Sequence, residues 1–421
     1  MTTTPCFFAF VELLDQFNPF LVMVALAFAV GVVAPWLLWV IWFGPRRVRL
    51  NKELLERQAE NEVLRSDLGE RQAENESMRT LQEELQSDLQ QSEDRVGEFS
   101  GRIRRVLETE GRIWERPVDG ITPPFRPLEP RKAAIICLMN LKGGVGKTTI
   151  AANLGAMMAH KGRDVLLVDL DFQGSLTSLC VNGRSIQTLR DQHRFVQIAF
   201  GDHAIEPADL RRAMVQLGET STLLAADEDL VNCEQRQMTR WLIGESEDDV
   251  RFRLRSLLHA DEIQNRFDVI LLDCPPRLTT ASINALAASD FVLIPTLMDS
   301  PSTERVPSLL AWLRQLKDHT ELCPQLAVLG VVANQVQKKN EFTAREEDIW
   351  NTLQEMCADR WGDRIHHFST TIPRREAFPR AAERNQFAAF DRELVDVFEN
   401  LVKEVDQGMP NAAGSRSVRG V

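Results

Sequence analysis

Lys142-Gly143-Gly144-Val145-Gly146-Lys147-Thr148-Thr149 follows the apolar run Ala133 to Met139 and precedes Ile150 to His160, which is small and apolar on a helical period. A glycine-rich turn between a buried strand and a helix can wrap phosphate oxygens in backbone N–H groups, and the helix N-terminus adds its positive end. Gly143, Gly144, Val145 and Gly146 supply that turn, Lys147 suits the β and γ phosphates, and the hydroxyls of Thr148 and Thr149 open the helix, with Thr148 placed to meet Mg²⁺. The pattern G-x-x-x-x-G-K-[ST] nevertheless fails, because Leu141 stands where the first glycine is required. An additional lysine, Lys142, occupies the front of the loop instead.

Further along, Val165 to Val168 runs into Asp169-Leu170-Asp171-Phe172-Gln173-Gly174, and Val269 to Leu272 into Asp273-Cys274-Pro275-Pro276. Short apolar runs closed by charge, glycine or proline read as buried parallel strands. Ligands of open α/β sheets sit outside the carboxyl ends of strands, which places Asp169, Asp171 and Asp273 towards the phosphates. Cys274 reads as a small buried residue, since no histidine lies near it in sequence. Leu326 to Val332 is another apolar strand, ending in Ala333-Asn334-Gln335, and the Asn334 amide can pair with an adenine edge in both directions.

KGGVGKTT, D-x-D-x-Q-G at 169–174 and D-x-P-P at 273–276 together resemble the deviant Walker A, switch and Walker B motifs of the ParA/MinD family of dimerising ATPases. The resemblance covers roughly residues 132–407. It implies an α/β fold, a doubly wound, mostly parallel P-loop NTPase sheet, with ATP and Mg²⁺ as cofactors. By the same resemblance Asp171 orients or deprotonates the attacking water, Asp169 supports the metal region, and Asp273 holds Mg²⁺ through a water. Lys142 then reaches across an ATP-sandwich homodimer to the partner's phosphates. Thr370-Thr371-Ile372-Pro373-Arg374-Arg375 resembles the loop closing over the base, with Pro373 and Arg374 beside it. The implied function is a nucleotide switch in partition, positioning or assembly of a cargo, served by an activating protein partner. Nonspecific DNA binding would fall to Arg374, Arg375, Arg380 and Arg384, a basic run diluted by Glu376 and Glu383. Two rivals stand beside this reading. A bacterial tyrosine kinase joins related motifs to a membrane helix, but this chain contains no tyrosine, leaving only phosphorylation of another protein. A scaffold that binds ATP without turning it over is the non-enzymatic alternative.

The net charge of −12 argues against a surface that coats nucleic acid generally, and seven scattered cysteines without C-x-x-C spacing fit a reducing compartment. Residues 20–43 carry no charge and are long enough, at about 1.5 Å per residue, to span a bilayer as a helix. Arg46, Arg47, Arg49 and Lys52 follow directly. The positive-inside rule then makes the chain a single-pass inner-membrane protein with 1–19 extracytoplasmic and the ATPase in the cytoplasm. Residues 48–108 are charged, proline-free and periodic, with Leu54, Asn61, Leu68, Asn75, Leu89 and Val96 among the a positions and Leu64, Met78, Leu85 and Phe99 among the d positions of a parallel coiled coil. Glu56 to Glu62 recurs as Glu70 to Glu76, two heptads on. Residues 109–131 are proline-rich and read as an extended linker. Residues 408–421 are small and polar and read as a disordered tail, while 182–261 carries no motif that names a cargo.

Overall fold

The computed structural model describes residues 18–28, 64–108, 113–118, 122–128 and 131–409, the last with single gaps at 202, 204, 247 and 340, plus isolated positions between 31 and 42. It divides into two compact units, 1–104 and 105–421. The expected extracytoplasmic segment 1–19 lies almost wholly outside the described residues, as does the tail beyond Met409.

In the first unit, helix α1 spans Pro19–Phe28 and helix α2 spans Leu64–Glu108. The expected membrane-spanning helix over 20–43 is corrected here, and with it the single-pass inner-membrane placement. Among the described residues no helix is long and apolar enough to cross a membrane. Helix α1 as described has ten residues, about 15 Å against a hydrocarbon core of about 30 Å. Helix α2 has 45 residues, about 67 Å of rod. Along it Met78 and Leu85, from the d set, and Leu89 and Val96, from the a set, are all exposed. The first part of the heptad stretch, 48–63, lies outside the described residues.

The second unit is built on one eight-stranded sheet in the order β3-β4-β2-β5-β1-β6-β7-β8. Its strands are β1 Ala134–Leu138, β2 Val165–Asp169, β3 Val215–Gln216, β4 Ser221–Leu224, β5 Val269–Asp273, β6 Phe291–Leu297, β7 Ala327–Val336 and β8 Ile372–Pro373. All neighbours are parallel except β3 and β4. Alternation along each central strand feeds two cores. Ala134, Ile136 and Leu138 face one layer, with helices α3 (Lys147–His160) and α8 (Val395–Gly408), and Ile135 and Cys137 face the other. That second layer holds α4 (Asp229–Ile243), α5 (Thr280–Ala288), α6 (Ser300–His319) and α7 (Ala344–Trp361). Both sides of the sheet are therefore covered, which is why its strands read as continuous apolar runs.

The chain leaves β1 towards β2 on one side and leaves β5 towards β6 on the other. This opposed exit makes a crevice at the carboxyl ends of β1 and β5, the position where doubly wound sheets take ligands. In register, Leu138 pairs with Asp273 and Asp273 with Asp169. The loop 139–146 and both aspartates thus share one edge.

Candidate nucleotide site

The loop turns because Gly144 and Gly146 take φ of 74° and 91°, a region costly for any residue with a Cβ. At Gly146 a Cβ would also lie 2.0 Å from the Asn334 amide nitrogen. Asn334 is buried and fastens the loop: its Nδ2 donates to Val145 O at 2.7 Å and its Oδ1 accepts from Gln335 N at 2.8 Å. The adenine-facing role expected of it therefore competes with a loop-holding one. Pro373 is buried on β8, and Arg374, exposed, donates its backbone N–H to Val336 O at 2.9 Å. Gly146, Thr149, Asn334, Pro373, Arg374 and Phe378 line an open cavity of about 550 Å³ beside the phosphate loop.

Inside the loop, Lys147 is buried and donates from Nζ to Asn140 O at 3.0 Å and Lys142 O at 3.3 Å. Burial pulls its pKa below the ordinary lysine value, opposed by the neighbouring Asp273, Cys274 and Asp171. Asp273 is fully buried, and neither carboxylate oxygen has a hydrogen-bond partner; the Thr148 hydroxyl lies beside it outside hydrogen-bond geometry. Burial, then the charge of Asp169, pushes the Asp273 carboxyl well above its usual pKa.

Asp169 differs. Its Oδ2 accepts from both Thr177 N and Thr177 Oγ1 at 2.8 Å, and its Oδ1 accepts from Asp171 N at 3.1 Å. Burial still lifts its pKa to about 7. Asp171, nearly buried, accepts from Gln173 N at 3.1 Å through Oδ1, shaping the turn that ends at Gly174. Asp169 thus anchors the switch turn while Asp171 sits on it.

Two residues of the site had no place in the sequence reading. Asn140 donates to Pro295 O and accepts from Lys142 N, tying the loop entrance to β6. Asp299 caps α6 through Ser302 and forms an ion pair with Lys142. Burial opposes ionisation of Asp299, but the hydrogen bonds from Lys142 and Ser302 outweigh it and hold the carboxyl below its ordinary range. An aspartate two residues before Pro301 is a helix-start signal that would have located Asp299 at the head of α6. Of the arginine run, Arg375 pairs with Glu393 at 3.3 Å, and Arg380 and Arg384 are exposed.

The donor set suits a small hard cation bound jointly with phosphate. Among the described residues no group of three or more His, Cys, Asp or Glu side chains could hold a metal. The two orphaned oxygens of Asp273 and the Thr148 hydroxyl fit Mg²⁺, which keeps waters and leans on one or two carboxylates plus substrate oxygens. A glycine loop on a helix N-terminus, a buried lysine within it and an orphaned aspartate at the next strand end define a P-loop nucleoside triphosphatase.

Comparison with known proteins narrows the class. A family model described as an AAA domain matches residues 133–328. The chromosome-partitioning ATPase Soj of Thermus thermophilus is 32% identical over 266 residues, 60% of this chain and 95% of that protein. The sporulation initiation inhibitor protein Soj of Bacillus subtilis is 33% identical over 217 residues, 49% of this chain and 75% of its own. Among solved structures, cobyrinic acid a,c-diamide synthase of Mycobacterium smegmatis with bound ATP analogue and magnesium superposes with a TM-score of 0.52 at 25% identity, covering 68% of this chain and 100% of that one. The chain belongs to the ParA/Soj family of P-loop ATPases. It is an ATP hydrolase, with ATP and Mg²⁺ as its cofactors.

Proposed function

We propose that this ATPase is a partition- or positioning-type switch whose ATPase unit closes into a nucleotide-sandwich dimer, with the heptad face of α2 pairing two chains as a parallel coiled coil. The observation that carries the reading is Lys142. It stands at the mouth of the loop, where its carbonyl accepts from Lys147 while its ammonium rests on Asp299 rather than on the chain's own phosphate loop. A lysine so placed can exchange that ion pair for phosphates other than those its own Lys147 contacts. The names of the Soj relatives support partition as the process served.

In this reading Lys147 and the loop N–H groups from Gly143 to Thr149 bind the β and γ phosphates, and Thr148 and Asp273 hold Mg²⁺. The bound cation neutralises charge on the phosphate oxygens. Asp171 positions the attacking water from a turn that Asp169 keeps rigid, and Lys142 of one chain meets charge developing at the other chain's γ phosphate. Asn334, Pro373 and Arg374 flank the base. An activating protein would act on this assembled state.

The test is Asp171→Ala in the full chain. ATP binding should persist, phosphate release should fall by about 100-fold or more, and the closed dimer should accumulate. Wild-type turnover in Asp171→Ala would exclude this mechanism.

A further inference from the structure

The proline-rich segment before β1 is seated on the ATPase unit in a built cradle. Arg251, fully buried and paired with Asp249, donates from its guanidinium to three carbonyls of the segment: Trp114 O at 3.1 Å, Arg116 O at 2.6 Å and Pro117 O at 3.1 Å. Trp114 stacks on Trp241 of α4 with ring centroids 6.3 Å apart and planes 9° from parallel, and Arg251 lies over the same Trp241 ring. Glu115 accepts from Gln315 of α6 at 2.8 Å. Three carbonyls on one guanidinium fasten the short 3₁₀ turn Ile113–Glu115 and the bend that follows it to the ATPase unit.

The cradle touches the helix that follows Asp273 by two hydrogen-bonded routes. Beside Arg251, Val250 O accepts from Asn284 Nδ2 at 2.7 Å, and Leu254 N donates to Asn284 Oδ1 at 3.0 Å; Asn284 lies fully buried on α5. On α4, which carries Trp241, Glu234 accepts the backbone N–H of Ala281 in the first turn of α5. Helix α5 begins seven residues after Asp273.

We propose that residues 113–118 are a regulatory strap, docked through their carbonyls on Arg251 and Trp241, whose seating fixes α5 and thereby sets the rate of the hydrolysis proposed above. With the strap seated, the Arg251 charge is saturated and both routes hold α5. With it displaced, three donors of a buried charge lose their acceptors and the turn at Val250 must rearrange, loosening Asn284.

The experiment uses the full chain and Trp114→Ala, which removes the stacking contact from the strap side and leaves the domain's own residues untouched. Amide hydrogen exchange of 113–118 and of 280–288 should each rise by about tenfold or more, while β1 and β5 stay protected. The turnover number should fall by about threefold or more, with ATP affinity within about twofold of wild type. Glu234→Gln combined with Asn284→Ala should make a further Trp114→Ala change nearly silent on turnover. Faster exchange of the strap with unchanged exchange at 280–288 would overturn the coupling, and unchanged exchange of the strap would overturn the docking. Should wild type hydrolyse no ATP, the functional reading fails by itself, and exchange at 280–288 still decides for or against the strap.

Discussion

Two regions where this chain buries charge are built on opposite principles. Around Arg251, Arg255 and Arg131 every guanidinium is hydrogen-bonded: Arg255 donates to Ala287 O and Leu322 O, and Arg131 pairs with Asp290, whose other oxygen accepts from Ile135 N. At the carboxyl ends of β1 and β5 Asp273 is equally buried and has no hydrogen-bond partner at all. A buried charge with its bonds complete is structural. One left incomplete marks where a ligand supplies the missing bonds, at a cost to the unliganded fold.

That contrast predicts opposite responses to removing charge. Arg251→Ala leaves Asp249 and three strap carbonyls without their partner inside the protein, so unfolding in denaturant should show a loss of about 3–5 kcal/mol. Asp273→Asn should instead unfold at equal or higher denaturant, by about 1 kcal/mol, while phosphate release drops by about 100-fold or more. Matching losses of stability in both variants would erase the distinction.

The pH dependences run in opposite senses too. His259 sits under Arg131, Arg255 and Arg126, accepts from Arg126 N through Nδ1 at 3.2 Å, and faces Ala288 O through Nε2 at 2.9 Å. Burial, then the charge of Arg131, lowers its pKa to about 3. Between there and its unfolded value of about 6.5 the unfolded chain binds the extra proton, so this contribution to stability is present above pH 6.5 and is lost as pH falls. The raised pKa of Asp169, about 7, and that of Asp273 act the other way. Here the folded chain binds more protons above about pH 4, so their contribution declines as pH rises towards 7. His259→Gln should flatten the acid limb of a stability-against-pH curve and Asp273→Asn the neutral limb. An unchanged acid limb in His259→Gln would remove the histidine from the account.

The smallest effect concerns the arginine run. Arg375 is engaged with Glu393, which leaves Arg374, Arg380 and Arg384 as its exposed members. If these touch nucleic acid, Arg380→Glu with Arg384→Glu should abolish DNA retention at low salt and leave ATP turnover within about twofold. Retention unaffected by the pair, or absent in wild type, would remove DNA from the partners.

The sheet and the phosphate loop were legible because their signals are contiguous. Strands β2 and β5 are short apolar runs ending in the residues that matter, Asp169 and Asp273, and Gly144 and Gly146 occupy the positive-φ positions that the loop needs. Asp299 was not legible as a partner of Lys142, since the two lie 157 positions apart and only the β6 edge brings them together. Proline content at 117–130 signals an extended chain but is silent on where its carbonyls go, so the Arg251 cradle was invisible. Residues 20–43 show the converse failure. Hydropathy counts apolar residues and does not fix a spanning helix; among the described residues no helix is long and apolar enough to cross a membrane. Asn334 was placed correctly at a strand end, but its hold on Val145 O depends on a contact across 189 residues.

The central claim, that the lysine at the mouth of the loop serves the other chain's nucleotide, is tested most directly by phosphate release and ATP binding measured side by side on Lys142→Ala and Lys147→Ala. Lys147→Ala should lose ATP binding. Lys142→Ala should bind ATP within about threefold of wild type and release phosphate at least about 100-fold more slowly. Lys142→Ala turning over at the wild-type rate would contradict the account, whatever becomes of Lys147→Ala.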